Sequence, residues 1–491
     1  MNNVKLVYNV KDKPPIGKTI VFAFQQLLAI MAATIAVPAI IGHGMSASAA
    51  LFGAGVGTLV YQLFTKFRSP VFLGSSFAFL GSMAAAFAGG VSMSVGYLGL
   101  IIGATIAGIV YVIIALVVKF VGVGWINKLM PAVVIGPIVA IIGLSLAGNA
   151  VGDLMKGNVT YTLNEWIIDN GVPVIEEVTY QYASPYIALI CGLVTLGTTI
   201  ACSVYGKKMM KMIPFIIGIL AGYAVAAIFT IIGNIAGIDA FKIINFALFK
   251  DIKWIPDFTF ITAFSGAYDF GAGANFWSYL GTIAVAYAPV AFVVFAEHIA
   301  DHKNLSSIID KDLLADPGLH RTLLGDGIGS IAGAFFGGCP NTTYGESVGC
   351  VAISGNASVI TIFVTAIMAI AISFFGPFAT FLSTIPSCVM GGVCIALYGF
   401  IAVSGLKMIQ KVDLNENHNL FVVSVILIAG VGGLTLSFGK ITITNIACAL
   451  ILGILTNVLC AKARKNSEQG ECDKVCETCV KNCDEEVKEE K

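Results

Sequence analysis

The sequence predicts an all-α polytopic membrane protein with fourteen transmembrane helices in two inverted seven-helix repeats, and three observations carry that reading. Of 491 residues, 57% are hydrophobic and only 11% charged, against roughly 25% charged in a soluble domain. So little charge cannot clothe a globular surface in water, which excludes an ordinary soluble enzyme. Apolar stretches of 18 to 25 residues recur along the chain, each long enough to cross a hydrocarbon core of about 30 Å; a membrane barrel would show alternating segments of about ten residues instead. Finally, Gln26 and Glu297 lie 271 residues apart and Pro70 and Pro340 lie 270 apart. With an odd number of helices in each half, a repeat at that offset is inverted across the membrane. The 28 basic and 28 acidic residues cancel, leaving no basic face for nucleic acid.

The first span, 17–41, has Lys5, Lys11, Lys13 and Lys18 at or before its start. It is too long for a signal peptide, contains Gln25 and Gln26, and is followed by more spans. The rest fall near 47–65, 70–89, 95–118, 130–148, 184–204, 213–234, 279–301, 318–338, 341–354, 358–376, 384–403, 419–436 and 441–460. With a cytoplasmic N-terminus, 23 of the 28 basic residues lie inside and only Lys156, Lys242, Lys250, Lys253 and Lys440 lie outside. The positive-inside rule favours this arrangement, with both termini cytoplasmic. Two less apolar segments, Asn149 to Ala183 and Ile238 to Asn275, are expected outside.

The third and tenth spans look broken. The run from Pro70 to Phe79 places Pro70, Gly74, Ser75 and Ser76 in an apolar stretch, and the run from Gly337 to Glu346 is too polar to face lipid. Non-helical backbone at membrane depth is tolerated only where it is buried in protein or lines a wet cavity. An extracytoplasmic loop is the alternative for the tenth segment, but the apolar continuation from Val348 to Ser354 favours a half-helix opened by Glu346.

Few residues inside the spans can carry chemistry: Glu297, Glu346 and Asp326, three carboxylates without a basic partner in the spans. Burying Glu297 costs about 3 kcal/mol or more, so such a residue is normally functional; its plainer reading is a helix-end carboxylate at the cytoplasmic interface. Glu346 suits the N-terminal end of a half-helix, either as a simple cap or as a hydrogen-bond acceptor for a ligand whose carbonyls take nearby backbone N–H groups. Two carboxylates with free backbone donors suit a small planar solute bearing alternating N–H and C=O groups, and suit an anion poorly. A carboxyl taken out of water favours its protonated form, which provides a route to proton coupling with no cofactor.

The stretches Ala296-Glu297-His298-Ile299, Lys311 to Arg321, Pro340-Asn341-Thr342-Thr343-Tyr344-Gly345-Glu346 and Gly74-Ser75-Ser76-Phe77-Ala78-Phe79 resemble the nucleobase-ascorbate transporter family of nucleobase:cation symporters, in its bacterial uracil permease branch. The likeness runs from the first span to about Cys460. It implies a core domain (17–120 and 276–376) and a gate domain (121–238 and 377–461), with a cytoplasmic segment 1–16, an extracytoplasmic loop 239–275 and a charged cytoplasmic tail 462–491. It further implies short antiparallel strands in spans three and ten, with uracil between them. Import would proceed by proton symport, through elevator-type movement of core against gate, in a homodimer of the inner membrane. Carried over by motif, Glu297 and Glu346 would hydrogen-bond the pyrimidine, backbone at Phe77 and Gly345 would donate to its carbonyls, Tyr344, Phe77 and Ala33 would pack on the ring, and Tyr398 would approach from the gate.

Two departures bear on the proton path. The family pattern has a histidine four residues after the first glutamate, where this chain has Asp301, with His302 next to it; the first-span Gln-His pair is Gln25-Gln26. Proton coupling is therefore assigned to Glu297, Asp301, His302 and Asp326, with sodium as the alternative ion. The rival substrates are xanthine and uric acid. From a different class, an anion exchanger or channel of the related seven-plus-seven plan is opposed by Glu346, which stands where such a carrier needs positive potential. Eight of the twelve cysteines lie in or beside the spans as small apolar fillers. Cys472, Cys476, Cys479 and Cys483 follow one another at intervals of four, three and four in the tail, either as a soft-metal site or as thiols of a reduced tail.

Overall fold

A computed structural model describes residues 6–122, 131–169, 172–207, 209–271, 275–438 and 441–460. The fold is carried by helices α1 (Ile16–Ile41), α2 (Ala47–Phe64), α3 (Leu80–Ala86), α4 (Met93–Val121), α5 (Ala132–Ser145), α6 (Pro185–Tyr205), α7 (Pro214–Ala236), α8 (Phe276–Ile309), α9 (Leu319–Gly337), α10 (Gly345–Ser354), α11 (Val359–Ser373), α12 (Ser387–Ile409), α13 (Asn417–Val431) and α14 (Asn445–Cys460). Each overlaps one of the expected apolar segments, α3 covering only the end of its own. Among the described residues, eight helices are long and apolar enough to cross a membrane, α5 counted with its continuation to Asp153; nine qualify if α11 and the helix Gly376–Thr384, bent from it by 82°, form one span.

Polar caps mark where apolar runs begin. Ser46 accepts from the Ala49 amide at 3.2 Å and opens α2, and Asn275 accepts from the Ser278 amide at 2.9 Å and opens α8; each satisfies an N–H that the helix itself cannot. At the other end of α1, Gly42 takes φ +70°, a conformation that costs glycine nothing.

Packing gathers the helices into two bodies. α9 lies along α2 and α4, α8 on α4, and α11 on α1 and α2; separately, α12 lies along α5 and α6, α7 on α6, and α13 on α5. One close seam is α2 against α9, where a Cβ on Gly57 would stand 2.8 Å from the Gly329 carbonyl oxygen. Lipid tails are as apolar as leucine, so helices in a bilayer associate through such close backbone approach.

One pair of strands is the expected one in spans three and ten, and two hairpins qualify the all-α expectation. β1 (Leu73–Ser75) pairs antiparallel with β4 (Asn341–Thr343), in the register Leu73 to Thr343 and Ser75 to Asn341. The less apolar segment expected outside, from Asn149 to Ala183, is largely a hairpin of β2 (Thr160–Asp169) and β3 (Val172–Gln181), whose Val, Ile, Tyr and Thr suit strands. A second small hairpin, β5 (Leu436–Phe438) with β6 (Ile441–Ile443), occupies the junction of α13 and α14. The eighth span also outruns its expected end at 301 by two turns, because a helix needs apolar residues only where it meets lipid and continues into water on polar ones.

Candidate functional site

The two broken spans meet at β1 and β4. From this junction α10 runs to the face that carries the N-terminal segment, where the Val7 amide donates to the Gly355 carbonyl at 2.8 Å and the Ala357 amide to the Tyr8 carbonyl at 2.9 Å. α3 runs the opposite way, toward residues 87–92, where the Ser92 amide donates to the Asp269 carbonyl at 2.9 Å. Strands so short leave backbone groups unpaired, and an unsatisfied group here has no water to turn to. Neighbouring side chains fill the gap. The Leu73 amide donates to Thr58 Oγ1 at 2.9 Å and the Phe72 amide to Ser347 Oγ at 3.2 Å, while Asn341 Nδ2 ties β4 to α2 by donating to the Gly53 carbonyl at 2.9 Å.

Around this frame the structure brings most of the expected site together. Glu297 lies within α8 and Glu346 is the second residue of α10; both are half-buried and within electrostatic reach of each other. Twelve helical residues follow Glu297, which removes the reading of it as a helix-end carboxylate. Asp301, one turn further along α8, accepts from Thr343 Oγ1 at 3.1 Å and so ties α8 to β4. The Tyr344 hydroxyl donates to the Ser75 carbonyl at 2.6 Å, fixing its ring against β1. Phe77 and Tyr398 meet edge to face at 6.0 Å, so α12 of the second body touches the first beside the junction, and Ala33 is buried in α1. At Gly345 nothing stands within 4 Å of where a Cβ would be. The first residue of α10 thus borders open space.

Other candidates are placed behind this frame. Asp326 is buried on α9, and its Oδ2 is 2.8 Å from His298 Nδ1. His302 points away from the carboxylates: its Nδ1 donates to the His298 carbonyl at 2.8 Å and its Nε2 lies 2.8 Å from the Tyr61 hydroxyl. The reason is helical spacing. Residues four apart share a face, so Glu297 and Asp301 face β4 while His298 and His302 stack at 4.0 Å on the neighbouring face. The tail cysteines, Cys472, Cys476, Cys479 and Cys483, lie outside the described residues. Among the described residues no group of three or more His, Cys, Asp or Glu is placed to hold a metal ion.

Reading the sequence alone misses His298, Thr343, Ser347 and the structural role of Gln26, whose Nε2 donates to Ser347 Oγ at 2.6 Å and so joins α1 to α10. A signal existed for His298: a carboxylate in an apolar span needs a partner, and the eighth span holds imidazoles. Outside the spans, Asp316 in the α8–α9 connection is held down to about 2 by Lys311 and Arg68, each 2.8 Å from one of its oxygens.

Comparison with known proteins gives a consistent result. A family model, Xan_ur_permease, described as "Permease family", matches residues 17–438. The chain is 38% identical to the uracil permease of Bacillus caldolyticus, covering 93% of this chain and 95% of that one. It is 36% identical to the uracil permease of Bacillus subtilis (strain 168), over 95% and 98%, and 35% identical to that of Escherichia coli (strain K12), over 91% and 92%. Among solved structures, the transmembrane domain of the cyanobacterium bicarbonate transporter BicA superposes with a TM-score of 0.56 at 15% identity, covering 90% of this chain and 96% of that one. The murine Slc26a9 anion transporter in its inward-facing state gives 0.58 at 13%, over 92% and 69%. These two likenesses establish a shared multi-pass membrane fold.

Proposed function

The chain belongs to the xanthine/uracil permease family, and from that premise we propose that it imports uracil by proton symport. It is a multi-pass membrane permease and not an enzyme. Relatives 35 to 38% identical over nine-tenths of the chain are uracil permeases, and this observation carries the choice of substrate. The geometry agrees with it. Uracil offers two ring N–H donors and two carbonyl acceptors; Glu297 and Glu346 accept the former, and the amides at Gly345 and Phe77 donate to the latter. Tyr344, Phe77 and Ala33 pack on the ring, and Tyr398 closes the site from the second body.

The same proposal extends to architecture and movement. Helices α1 to α4 and α8 to α11 form the core, and α5 to α7 and α12 to α14 form the gate, as two inverted sevens with both termini in the cytoplasm. The core carries uracil past the gate of a homodimer in the cytoplasmic membrane. Two separately packed bodies and half-helices leaving β1 and β4 toward opposite faces support this reading. An anion substrate is disfavoured, because Glu346 places negative charge at the positive end of α10.

Replacing Glu297 or Glu346 with Ala is expected to lower uracil affinity about 100-fold or more, since each change strips a charged acceptor from a desolvated donor. The deciding measurement is uptake of labelled uracil against xanthine, uric acid, thymine and ascorbate at several pH values, with and without sodium. Displacement by xanthine at equal concentration overturns the substrate; uptake that follows sodium and ignores pH overturns the coupling ion.

A further inference from the structure

We propose that His298, seated between Asp326 and Thr322, is the group that holds the coupled proton during transport, a role that the sequence reading shares among Glu297, Asp301, His302 and Asp326. This inference rests on the proton symport proposed above.

The hydrogen bonds carry the argument. His298 is fully buried, with Nδ1 2.8 Å from Asp326 Oδ2 and Nε2 2.9 Å from Thr322 Oγ1. The Thr322 hydroxyl has a second partner, the Leu319 carbonyl at 3.0 Å, which can only accept. Two proton arrangements therefore satisfy the same heavy atoms. In one, Nδ1–H donates to the Asp326 carboxylate and Nε2 accepts from the Thr322 hydroxyl. In the other, Nδ1–H still donates to Asp326, a proton added at Nε2 donates to Thr322, and the Thr322 hydroxyl turns to the Leu319 carbonyl. The two differ by one proton on His298 and by the turn of one hydroxyl. Gain forms an N–H bond from the ring lone pair and release reverses it, so nothing else is consumed or produced. A buried imidazolium is costly unless paired, and Asp326 is the counter-charge in place.

The surrounding groups single out His298. On α8, Glu297 and Asp301 face β4, while His302 stacks on His298 and reaches the Tyr61 hydroxyl of α2, with no carboxylate on either nitrogen. From α4, Tyr111 presents its ring edge to His298 at 6.5 Å. Glu346 of α10 lies beyond Glu297. Lys119, Lys303 and Arg321 on α4, α8 and α9 make no ion pair with this network among the described residues. The second oxygen of Asp326, Oδ1, is buried without a hydrogen-bond partner, as is the Tyr111 hydroxyl. Both border the narrow space between α4, α9 and β4, so the acid is under-satisfied on its side toward the strand pair and gains from a cationic neighbour.

The test uses the full chain in proteoliposomes, reading pH-gradient-driven accumulation of labelled uracil, uracil counterflow without a gradient, and the pH of half-maximal uptake. His298→Gln is expected to lower accumulation at least about tenfold while counterflow falls no more than about twofold, because a glutamine keeps polar contacts but takes up no proton. Thr322→Val removes the turning hydroxyl and is expected to move the half-maximal pH by about one unit; it carries the test should His298→Gln not fold. Wild-type-like accumulation by His298→Gln, or an unmoved pH profile in Thr322→Val, overturns the assignment and leaves proton symport standing. Absence of gradient-driven accumulation in the unaltered protein overturns symport, and this inference with it.

Discussion

The third and tenth spans share a plan and divide the labour. Each is a three-residue strand leading into a short helix, and the strands pair with each other. In the third, Leu73 to Ala86 offers mostly small and apolar side chains, so its contribution is chiefly backbone and packing surface, with the Ser82 hydroxyl donating to the Ala286 carbonyl at 2.7 Å. In the tenth, Asn341 to Glu346 carries amide, hydroxyl, phenol and carboxylate groups, and every buried one of these whose bonds are described above reaches another element. One scaffold geometry thus occurs twice, while the polar chemistry is concentrated in one copy.

The glycines make the sharpest break in that comparison. A Cβ on Gly74 would run into the Tyr344 ring, whereas at Gly345 nothing stands within 4 Å. Gly74→Val should therefore destabilise the folded protein by about 3 kcal/mol, the upper end of overpacking costs, and Gly345→Ala should stay within about 0.5 kcal/mol of the parent. Thermal unfolding in detergent measures both; equal stability of the two variants would mean that the spans do not differ as described. Next in size is Ser347→Ala, which deprives both the Gln26 amide and the Phe72 amide of an acceptor. Loss of about 1 to 3 kcal/mol is expected, with Gln26→Leu in the same background adding less than it does alone, because the two residues share one bond. The smallest effect belongs to the connection that leads from α8 toward the tenth span. Lys311 and Arg68 favour the ionised form of Asp316 in the folded state, so their contribution is present above the ordinary carboxylate value of about 3.9 and fades as pH falls toward 2. The pair is exposed, so Asp316→Asn should cost under about 1 kcal/mol at pH 7, and the gap from the parent should narrow in unfolding curves taken at pH 3.

How much of this is legible in the sequence differs by kind of feature. Apolar length marks nearly every helix, and Pro70, Gly74 and Pro340 mark the breaks, because proline and glycine disrupt helices wherever they sit. That Thr58 and Ser347 satisfy the broken backbone is not legible, since it depends on which helix lies beside which. The face on which His298 sits is in principle legible from the four-residue spacing, but its partner on α9 is not, because the rotation of one helix against another is set by packing at Gly57 and Gly329. The hairpin of β2 and β3 is hidden for another reason: composition marks Asn149 to Ala183 only as less apolar than its neighbours, and its Val, Ile, Tyr and Thr are easily passed over beside the long spans.

The pairing of β1 with β4 also bears on how the chain is made. Leu73 finds Thr343 roughly 270 residues later in the chain, and at 5 to 20 residues per second synthesis of that interval takes roughly 15 to 50 s. Throughout it β1 has no strand partner, in surroundings where bare backbone is costly. Thr58, whose hydroxyl already meets the Leu73 amide and lies only 15 positions upstream, is available from the start. It gives the nascent third span a local companion while its strand partner is still on the ribosome.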